Sequence, residues 1–349
     1  MKANHSRSAG VTLADVAAAA GVDRSTASRA LRGDVRRVSA TTIARVRSTA
    51  QELGYRPDLT AAALRSGQSR ILGVLVPSIT DAAMAALFAG IEDEARAAGY
   101  LAVVTSTASE DASRQTAVDA FLGRKVDGLI IADSLIGQPL PTTGTGASVP
   151  IVAAFRQGPP SHPSVVADEY AGGRAVAEHL AAQGHRDLLV LGDPAVVPTF
   201  HTRIHGFRAG IRELLGKSAR VHVVPAGLQV NDGYTAMARA LGERKPPTAV
   251  FAINDYSAIG AAHALQEHGL LPGSGIGLVG YNDDPIAAHL PVPLTSVSID
   301  VRELGRQGAR TLIGLIENAT TEPAAITPRL IPRASSATPA DNLTRPPLP

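Results

Sequence analysis

Cysteine and tryptophan are both absent from this chain of 349 residues, and aromatic residues make up only 3% of it. Without cysteine there are no disulfide bonds, no thiolate metal ligands and no cysteine nucleophiles. Hydrophobic residues nevertheless reach 45% of the chain, so we expect sizeable cores built from Ala, Val, Leu and Ile. At roughly 150 residues per domain, the length predicts two or three domains.

Long apolar runs are also missing. No run approaches the ~18 residues that a membrane-spanning helix requires, so we expect no membrane segment. The first ten residues, MKANHSRSAG, lack the apolar stretch of a secretory signal peptide. Together with the lack of cysteine, these absences favour the cytoplasm as the location of the protein.

Charge is distributed unevenly along the chain. Residues 1–70 contain twelve basic and five acidic side chains, a net charge of +7, whereas residues 71–349 contain 21 and 26, a net charge of −5. This asymmetry predicts that only the N-terminal segment meets a polyanion such as nucleic acid. The alternative, a solvated basic tail, is disfavoured because the charges lie on a patterned helical unit.

The segment VTLADVAAAAGVDRSTASRAL, residues 11–31, predicts two helices joined by a tight turn. Gly21 permits the turn, and Asp23 can cap a second helix over residues 24–31. The first helix is indicated by the apolar residues Leu13, Val16 and Ala17. The second helix exposes Arg24, Ser25, Thr26, Ser28 and Arg29. These side chains can meet base edges and phosphates in a major groove, as in a helix-turn-helix DNA reader.

A third helix is predicted from the cap sequence VSATT, residues 38–42, to about Gly54, where YRP ends it. Residues 59–66, LTAAALRS, have helical propensity but form too short a segment to be a stable helix alone in water. Residues 67–69 are predicted to be a linker.

From Arg70 the pattern changes to apolar runs that alternate with amphipathic stretches, beginning with ILGVLV at 71–76. This alternation predicts parallel sheets with right-handed crossovers. Further strands are predicted at 101–105, 128–132, 150–154, 164–167, 188–192, 221–224, 249–253 and 276–280. Helices are predicted at 83–98, 114–124, 172–183, 203–215, 233–241 and 257–268. The number of strands indicates two lobes, with a crossing near 157–163 and a ligand cleft beyond the carboxyl ends of the strands.

Three sequence features could indicate catalysis or cofactor binding, but each lacks the required geometry or partner residue. The glycine-rich residues 273–277 precede a predicted strand instead of following one, which excludes phosphate-loop geometry. His201 and His205 have helical spacing but no third metal ligand, and Asp283 and Asp284 have no acid–base partner. We therefore expect no metal, no cofactor and no enzyme. A ligand receptor without a DNA role and an enzyme on an α/β scaffold remain the alternatives to a DNA-binding regulator.

These ordered motifs resemble the lac-repressor (LacI/GalR) family of bacterial transcription regulators over roughly residues 11–333. The similarity is carried first by VTLADVAAAAGVDRSTASRAL, VSATT, LGYRP, AAALRSGQS and ILGVLVPSITD. It continues in EHLAAQGHRDLLVLG, RIHGFRAGI, PPTAVFAINDYSAIGAAHAL, GLVGYNDDP and PLTSVSID. The resemblance implies an all-α helix-turn-helix head plus a hinge helix, followed by a two-lobed α/β core like that of periplasmic binding proteins.

The family pattern also implies the domain boundaries. The helix-turn-helix domain would span 11–57, the hinge helix and linker 58–69, and the effector-binding and dimerisation core 70–333. Within the core, the N-lobe would take about 70–156 plus 299–320, and the C-lobe about 157–298 plus 321–333. Residues 334–349, rich in Pro, Ser and Thr, are predicted to be a disordered tail.

For DNA, the resemblance implies base reading by Arg24 and Ser25 and mixed base and phosphate contacts by Thr26, Ser28 and Arg29. The other reading of Thr26 and Ser28 is that they cap or solvate the helix. Leu64 matches the hinge leucine that the family inserts into the minor groove. The remaining predicted DNA contacts are Thr12, Arg37, Ser39 and Tyr55. The chain departs from the family at Asp58 and Ala62, where Asn and Arg are usual, which weakens the expected hinge contact.

For the effector, the resemblance implies contacts from Arg203 and Asn254, and from Asn282 at a usual Asp position. Asp81 and Met84 replace the usual Asn-Pro-Phe-Phe, and Phe155 replaces a common Asp. Plain core packing is the other reading of Met84 and Phe155. The implied partners are double-stranded operator DNA with a pseudo-palindromic sequence, a second copy of the chain, and a sugar or sugar derivative. The expected function is a cytoplasmic, nucleoid-associated transcriptional regulator, most simply a repressor.

Overall fold

A computed structural model describes residues 11–33, 36–56, 67–141, 149–319 and 325–336. The chain divides into two compact units, residues 1–69 and residues 70–349. The described part of the first unit is a head of three helices, and the second unit is a core with two β-sheets.

The head consists of α1 (Leu13–Ala19), α2 (Arg24–Arg32) and α3 (Ala40–Glu52). The turn between α1 and α2 contains Gly21 with φ +65°, a conformation that glycine adopts without steric cost, so the prediction of a tight turn is confirmed. The three helices bury a small core made of Val16, Ala17, Ala20, Ala27, Ala30, Val38, Ile43, Val46 and Ala50. Because several of these residues are alanines, the helices pack closely with little apolar volume.

The N-lobe of the core is a parallel sheet of five strands in the order β2-β1-β3-β4-β5. The strands are β1 (Ile71–Val76), β2 (Leu101–Ser106), β3 (Gly128–Ile131), β4 (Ile151–Ala154) and β5 (Ser164–Val165). The helices are α4 (Ala82–Ala97), α5 (Asp111–Gly123) and α10 (Val301–Ile316). Strand β1 is buried on both faces: Leu72, Val74 and Val76 belong to the main core cluster, and Leu75 belongs to the cluster with Phe121 of α5.

The C-lobe is a sheet of six strands in the order β11-β10-β9-β8-β6-β7, in which only the β10–β11 pairing is antiparallel. The strands are β6 (Asp187–Leu191), β7 (Arg220–Val224), β8 (Ala249–Ala252), β9 (Gly277–Asn282), β10 (Thr295–Ser298) and β11 (Arg329–Ile331). The helices are α6 (Glu169–Ala182), α7 (Pro198–Leu215), α8 (Val230–Glu243) and α9 (Asp255–Glu267). Every strand and helix predicted in the core is present, with ends shifted by a few residues.

Helices α6 and α7 approach each other closely because each has a glycine at the contact. A Cβ atom on Gly173 would lie 2.0 Å from the carbonyl oxygen of Arg203, and one on Gly206 would lie 2.2 Å from that of Tyr170. Real Cβ atoms do not approach a carbonyl oxygen so closely, so the contact requires glycine at both positions. This contact fixes the part of α7 that carries Arg203.

Three predictions about the core need correction. Strand β5 pairs with β4, so the N-lobe sheet continues beyond 156 and the crossing lies after Val165, not at 157–163. Strands β10 and β11 and helix α10 were not predicted. Both strands are short, and β10 (TSVS) is polar. The predicted tail starts too early, because the hydroxyl of Ser335 is buried and donates to the carbonyl of Leu278 at 2.6 Å. Residues 337–349 lie outside the described residues.

Candidate functional site

The first turn of α2 is organised by its N-cap, Asp23. Asp23 Oδ1 accepts from the backbone N–H of Thr26 at 2.9 Å, and Oδ2 accepts from the Thr26 hydroxyl at 2.6 Å. Hydrogen bonds from Thr26 and Ser25 hold the pKa of Asp23 well below its usual range. The side chain of Thr26 therefore takes part in the cap.

The outward face of α2 carries the other predicted DNA contacts. Arg24 and Ser25 are exposed, whereas Ser28 and Arg29 are half-buried. Ala27 and Ala30 are fully buried against the rest of the head. On a helix of 3.6 residues per turn, positions 24, 25, 28 and 29 share one side, opposite the two alanines. The sequence thus places two guanidinium groups and two hydroxyl groups on a single surface.

The remaining predicted DNA contacts of the head lie near helix starts and ends. Thr12 and Asp15 form a reciprocal capping box at α1, and Ser39 Oγ accepts from the N–H of Thr42 at the start of α3. Arg37 is exposed in the turn before α3, and Tyr55 is half-buried against the head core. Leu64, the predicted minor-groove wedge, lies outside the described residues.

The core contains a cavity of about 370 Å³ between residues of the two lobes. Its walls are mainly apolar, and its polar groups follow the carboxyl ends of strands: Arg156 follows β4, and Asp193 follows β6. The N-lobe contributes Ser109, Leu135 and Arg156. The C-lobe contributes Asp193, Val196, Val197, Phe200, Pro225, Ala226, Gly227 and Leu228. This is the position at which open α/β sheets bind ligands.

Arg203, the predicted ligand arginine, does not line this cavity. Its side chain is 1% exposed, and Nε donates to Glu169 Oε2 at 2.8 Å. Nη1 donates to the carbonyl oxygen of Ile253, and the guanidinium carbon lies 3.3 Å from the centroid of the Tyr281 ring. Burial raises the pKa of Glu169, and the charge of Arg203 opposes this shift. In this structure, Arg203 is engaged inside the C-lobe.

Met84 and Phe155 also do not line the cavity. Met84 is 2% exposed and Phe155 is 7% exposed, and both belong to the main apolar cluster. Phe155 has φ +66°, a strained conformation for an aromatic residue, and it directly precedes Arg156. Core packing, the alternative reading of these two side chains, is therefore the arrangement in the structure.

Asp81 and Asn254 lie at strand-to-helix turns, and Asn282 is the last residue of β9. Asp81 caps α4 by accepting from the N–H of Ala83 at 2.9 Å. Asn254 caps α9, and its amide group donates to the carbonyl of Leu228, which lines the cavity, at 2.9 Å. Asn282, with φ +100°, has a buried Oδ1 with no partner among the described residues. Of the predicted effector residues, Asn254 thus supports a cavity wall and Asn282 keeps an unused acceptor.

A buried acidic pair follows the C-lobe strands. Asp255 Oδ1 accepts from Ser296 Oγ at 2.6 Å and Oδ2 accepts from the N–H of Asp284 at 2.7 Å. Burial, the largest cause, raises the pKa of Asp255 to about 7 and that of Asp284 to about 6. These bonds tie the start of α9 to β10 and to the turn after β9.

Sequence reasoning missed Arg156, Asp193 and Glu169 as site residues. Arg156 and Asp193 come within two residues of the ends of predicted strands, so their position beyond the strand ends was a usable signal. Glu169 also lies within two residues of a predicted strand, 164–167. Its role could not be predicted, because it depends on Arg203, which is 34 residues away along the chain.

The sequence matches the models of two known protein families. A family model described as bacterial regulatory proteins, lacI family, matches residues 12–58, and one for a periplasmic binding protein-like domain matches residues 177–336. The HTH-type transcriptional regulator PtxS of Pseudomonas putida is 30% identical over 306 residues, 87% of this chain and 89% of that protein. The chain belongs to the LacI family.

Other LacI-family proteins match along most of their length. The HTH-type transcriptional repressor CytR of Escherichia coli is 27% identical over 314 residues, 90% of this chain and 92% of that protein. A lac repressor dimer bound to operator and the anti-inducer ONPF shares 28% identity with a TM-score of 0.80, covering 94% of this chain and all of that one. A complex of the regulator CelR with cellobiose shares 27% identity with a TM-score of 0.68, covering 93% of this chain and all of that one.

This LacI-family protein is a DNA-binding transcriptional regulator with an effector-binding core, and it is not an enzyme. The expected fold class is confirmed: a helix-turn-helix head precedes a two-lobed α/β core. Among the described residues, no helix is both long and apolar enough to span a membrane.

Proposed function

We propose that this protein is a repressor that binds a pseudo-palindromic operator as a homodimer and responds to a small molecule in the inter-lobe cavity. The head supplies the DNA-reading helix α2, and the core supplies the cavity and the dimer contacts. The proposed domain boundaries are 11–57 for the head domain, 58–69 for the hinge and linker, and 70–336 for the core. The proposed location is the cytoplasm, on the nucleoid.

The outward face of α2 is the observation that carries this proposal. Arg24 and Ser25 are exposed at the N-terminal end of the helix, the end whose residues contact base edges in helix-turn-helix proteins. A bidentate arginine–guanine contact contributes about 1–3 kcal/mol of discrimination between bases. We assign base reading to Arg24 and Ser25, and backbone or base contacts to Ser28 and Arg29. Thr12, Thr26, Arg37, Ser39, Tyr55 and Leu64 are proposed as supporting DNA contacts.

The effector part of the proposal is supported by the cavity. It is lined by residues of both lobes, so a bound molecule contacts both and favours one arrangement of the lobes over another. A ligand that differs in affinity between two arrangements couples the cavity to DNA binding. A sugar or sugar derivative is the proposed ligand class. The related CelR structure contains cellobiose.

Selection from a random duplex library with the purified full-length protein, at one stated salt concentration, tests the function. The expected result is an enriched sequence with two inverted half-sites, because a two-fold symmetric dimer reads a two-fold symmetric site. A parallel selection with the Arg24→Ala, Arg29→Ala double variant is the control and should enrich nothing or a different sequence. Salt-sensitive binding without enrichment in the wild type contradicts the proposal.

A further inference from the structure

Arg156 is a buried cation that the described residues leave largely unpaired. It is 3% exposed and lines the cavity. Of its five side-chain N–H donors, the described residues accept one, in a long bond of 3.4 Å from Nη1 to Ser109 Oγ. An arginine this buried normally forms a bidentate pair with a carboxylate, and the ion pairs among the described residues include none with Arg156.

The two acids whose charges act on Arg156, Asp133 and Asp81, have other hydrogen-bond partners, and Asp133 Oδ1 has no partner among the described residues. Asp133 Oδ2 lies 3.0 Å from Nε of Arg114 and also accepts from the Thr107 hydroxyl. Asp81 accepts from the N–H of Ala83 at the start of α4. Burial lowers the pKa of Arg156 to about 10, against the attraction of Asp133 and Asp81, and Arg114 adds to the lowering. The described residues therefore offset the cost of desolvating the guanidinium only in part.

The cavity also contains a hydrogen-bond acceptor from the C-lobe and apolar walls. Asp193, from the C-lobe, uses Oδ1 to accept from the N–H of Ala195 at 2.8 Å, which leaves Oδ2 able to accept from a ligand. Leu135, Val196 and Phe200 form apolar walls between these polar groups. The volume of about 370 Å³ is at the small end of ligand pockets. The described residues thus form a small cavity with a cation from the N-lobe and an acceptor from the C-lobe.

We propose that the effector is a small hydroxylated organic anion, whose carboxylate or phosphate group binds Arg156 while its hydroxyl groups donate to Asp193. This inference rests on the proposed function of the cavity as the effector site and narrows its ligand class from any sugar to an acidic one. Arg203 bonds Glu169 and does not line the cavity in this structure, so Arg156 is the arginine that faces the ligand. A single molecule that contacts Arg156 and Asp193 joins the two lobes.

The first test distinguishes a role of Arg156 in stabilising the fold from a role in binding a ligand. It can be made before the effector is identified. Thermal unfolding is measured for the full-length wild type, for Arg156→Met, and for Arg208→Met, which removes an exposed arginine of α7. In chloride buffer, Arg156→Met should unfold at the same temperature as the wild type or above it. A loss of several degrees in Arg156→Met alone would show a structural role and overturn the proposal.

Inorganic phosphate, at constant ionic strength, is then added to the three proteins. The unfolding temperature of the wild type and of Arg208→Met should rise with millimolar phosphate, and that of Arg156→Met should not, because only a native-state site gains stability from its ligand. An equal rise in all three proteins, or no rise in the wild type, contradicts the proposal.

Calorimetric titration with matched ligands distinguishes the kinds of anion. D-glucose, D-gluconate and D-glucose 6-phosphate share one carbon skeleton and differ in the presence and kind of charge. We expect at least one anion to bind the wild type about tenfold or more tightly than glucose, and Arg156→Met to lose this preference. Equal binding of neutral and anionic ligands, or no binding of any of them, is the opposing result. Since these titrations contain no DNA, a failed operator selection leaves their outcome unaffected.

Discussion

Glu169 and Arg203 form an ion pair inside the C-lobe, with Arg203 Nε 2.8 Å from Glu169 Oε2 and both side chains almost inaccessible to solvent. Arg203 also donates to the carbonyl of Ile253 and lies over the face of the Tyr281 ring. The family resemblance alone assigned Arg203 to the ligand. Variants of the ion pair test whether Arg203 stabilises the fold or binds a ligand.

Removing either member of this pair should destabilise the core strongly. Glu169→Met or Arg203→Met leaves a buried charge without its partner, which costs about 3–5 kcal/mol of unfolding free energy. The double variant should lose much less than the sum of the two single variants, because no unpaired charge remains. Urea unfolding of the four proteins measures this coupling. Full stability of Arg203→Met combined with lost ligand binding would instead make Arg203 a ligand contact.

Arg24→Ala should change which bases the protein prefers in each half-site. The loss of one bidentate contact corresponds to about 1–3 kcal/mol at the affected base pair. Arg45→Ala, which removes an exposed arginine of α3, is the matched control and should weaken all duplexes alike or leave them unchanged. Competition binding with single-base variants of the selected duplex gives both results. An unchanged base preference in Arg24→Ala excludes this arginine as a base reader.

Gly173→Ala should destabilise the contact between α6 and α7. The added Cβ would meet the carbonyl oxygen of Arg203 at 2.0 Å, and such overpacking costs about 1–3 kcal/mol or more. Gly123→Ala, at the end of α5, meets nothing within 4 Å and should be neutral or stabilising by up to about 1 kcal/mol. Chemical unfolding of both variants checks the contrast, and equal effects would contradict the close packing of α6 on α7.

Asp255 and Asp284 should make the core less stable as pH rises from about 4 to 7. Their pKa values in the folded protein are about 7 and about 6, above the ordinary value of an aspartate, so the folded state holds more protons than the unfolded state across this range. Stability therefore falls with rising pH wherever these groups dominate. Asp255→Asn should reduce this slope, as measured by urea unfolding at several pH values.

Asp93→Asn is a control, because the contribution of Asp93 to stability changes with pH in the opposite direction. Hydrogen bonds from Arg302 are the main reason that the pKa of Asp93 is lowered, so its contribution is present above the unfolded pKa and is lost on acidification. This variant should therefore lose stability at neutral pH and little at acidic pH. A slope that is identical in wild type and Asp255→Asn would show that Asp255 titrates normally.

The sequence predicts the fold well where local pattern and burial agree. The run ILGVLV predicts β1 because a strand buried on both faces must be apolar throughout, and it is. Strand β10, TSVS, escaped prediction because its polar side chains are buried but paired: Ser296 donates to Asp255, and Thr295 bonds with Ser336. Such long-range pairing compensates the burial of hydroxyl groups and leaves no apolar pattern to detect.

The residues of the candidate site could be predicted less completely than the fold. The alternation of strands and helices predicts where a cleft should form, and Arg156 and Asp193 lie beyond the strand ends where this rule places ligand contacts. Which arginine remains free for a ligand depends on Glu169, and the match of Arg203 to a family motif carries no information about that neighbour. Only the packing of α6 against α7 brings Glu169 to Arg203.

The central claim, that the head reads a specific sequence, is tested most directly by comparing two equilibrium affinities. The full-length protein is titrated against the selected duplex and against a scrambled duplex of equal length and composition, at one physiological salt concentration. We predict binding to the selected duplex that is about 10³-fold tighter or more. Equal affinities for the two duplexes would show purely electrostatic binding and would contradict the account.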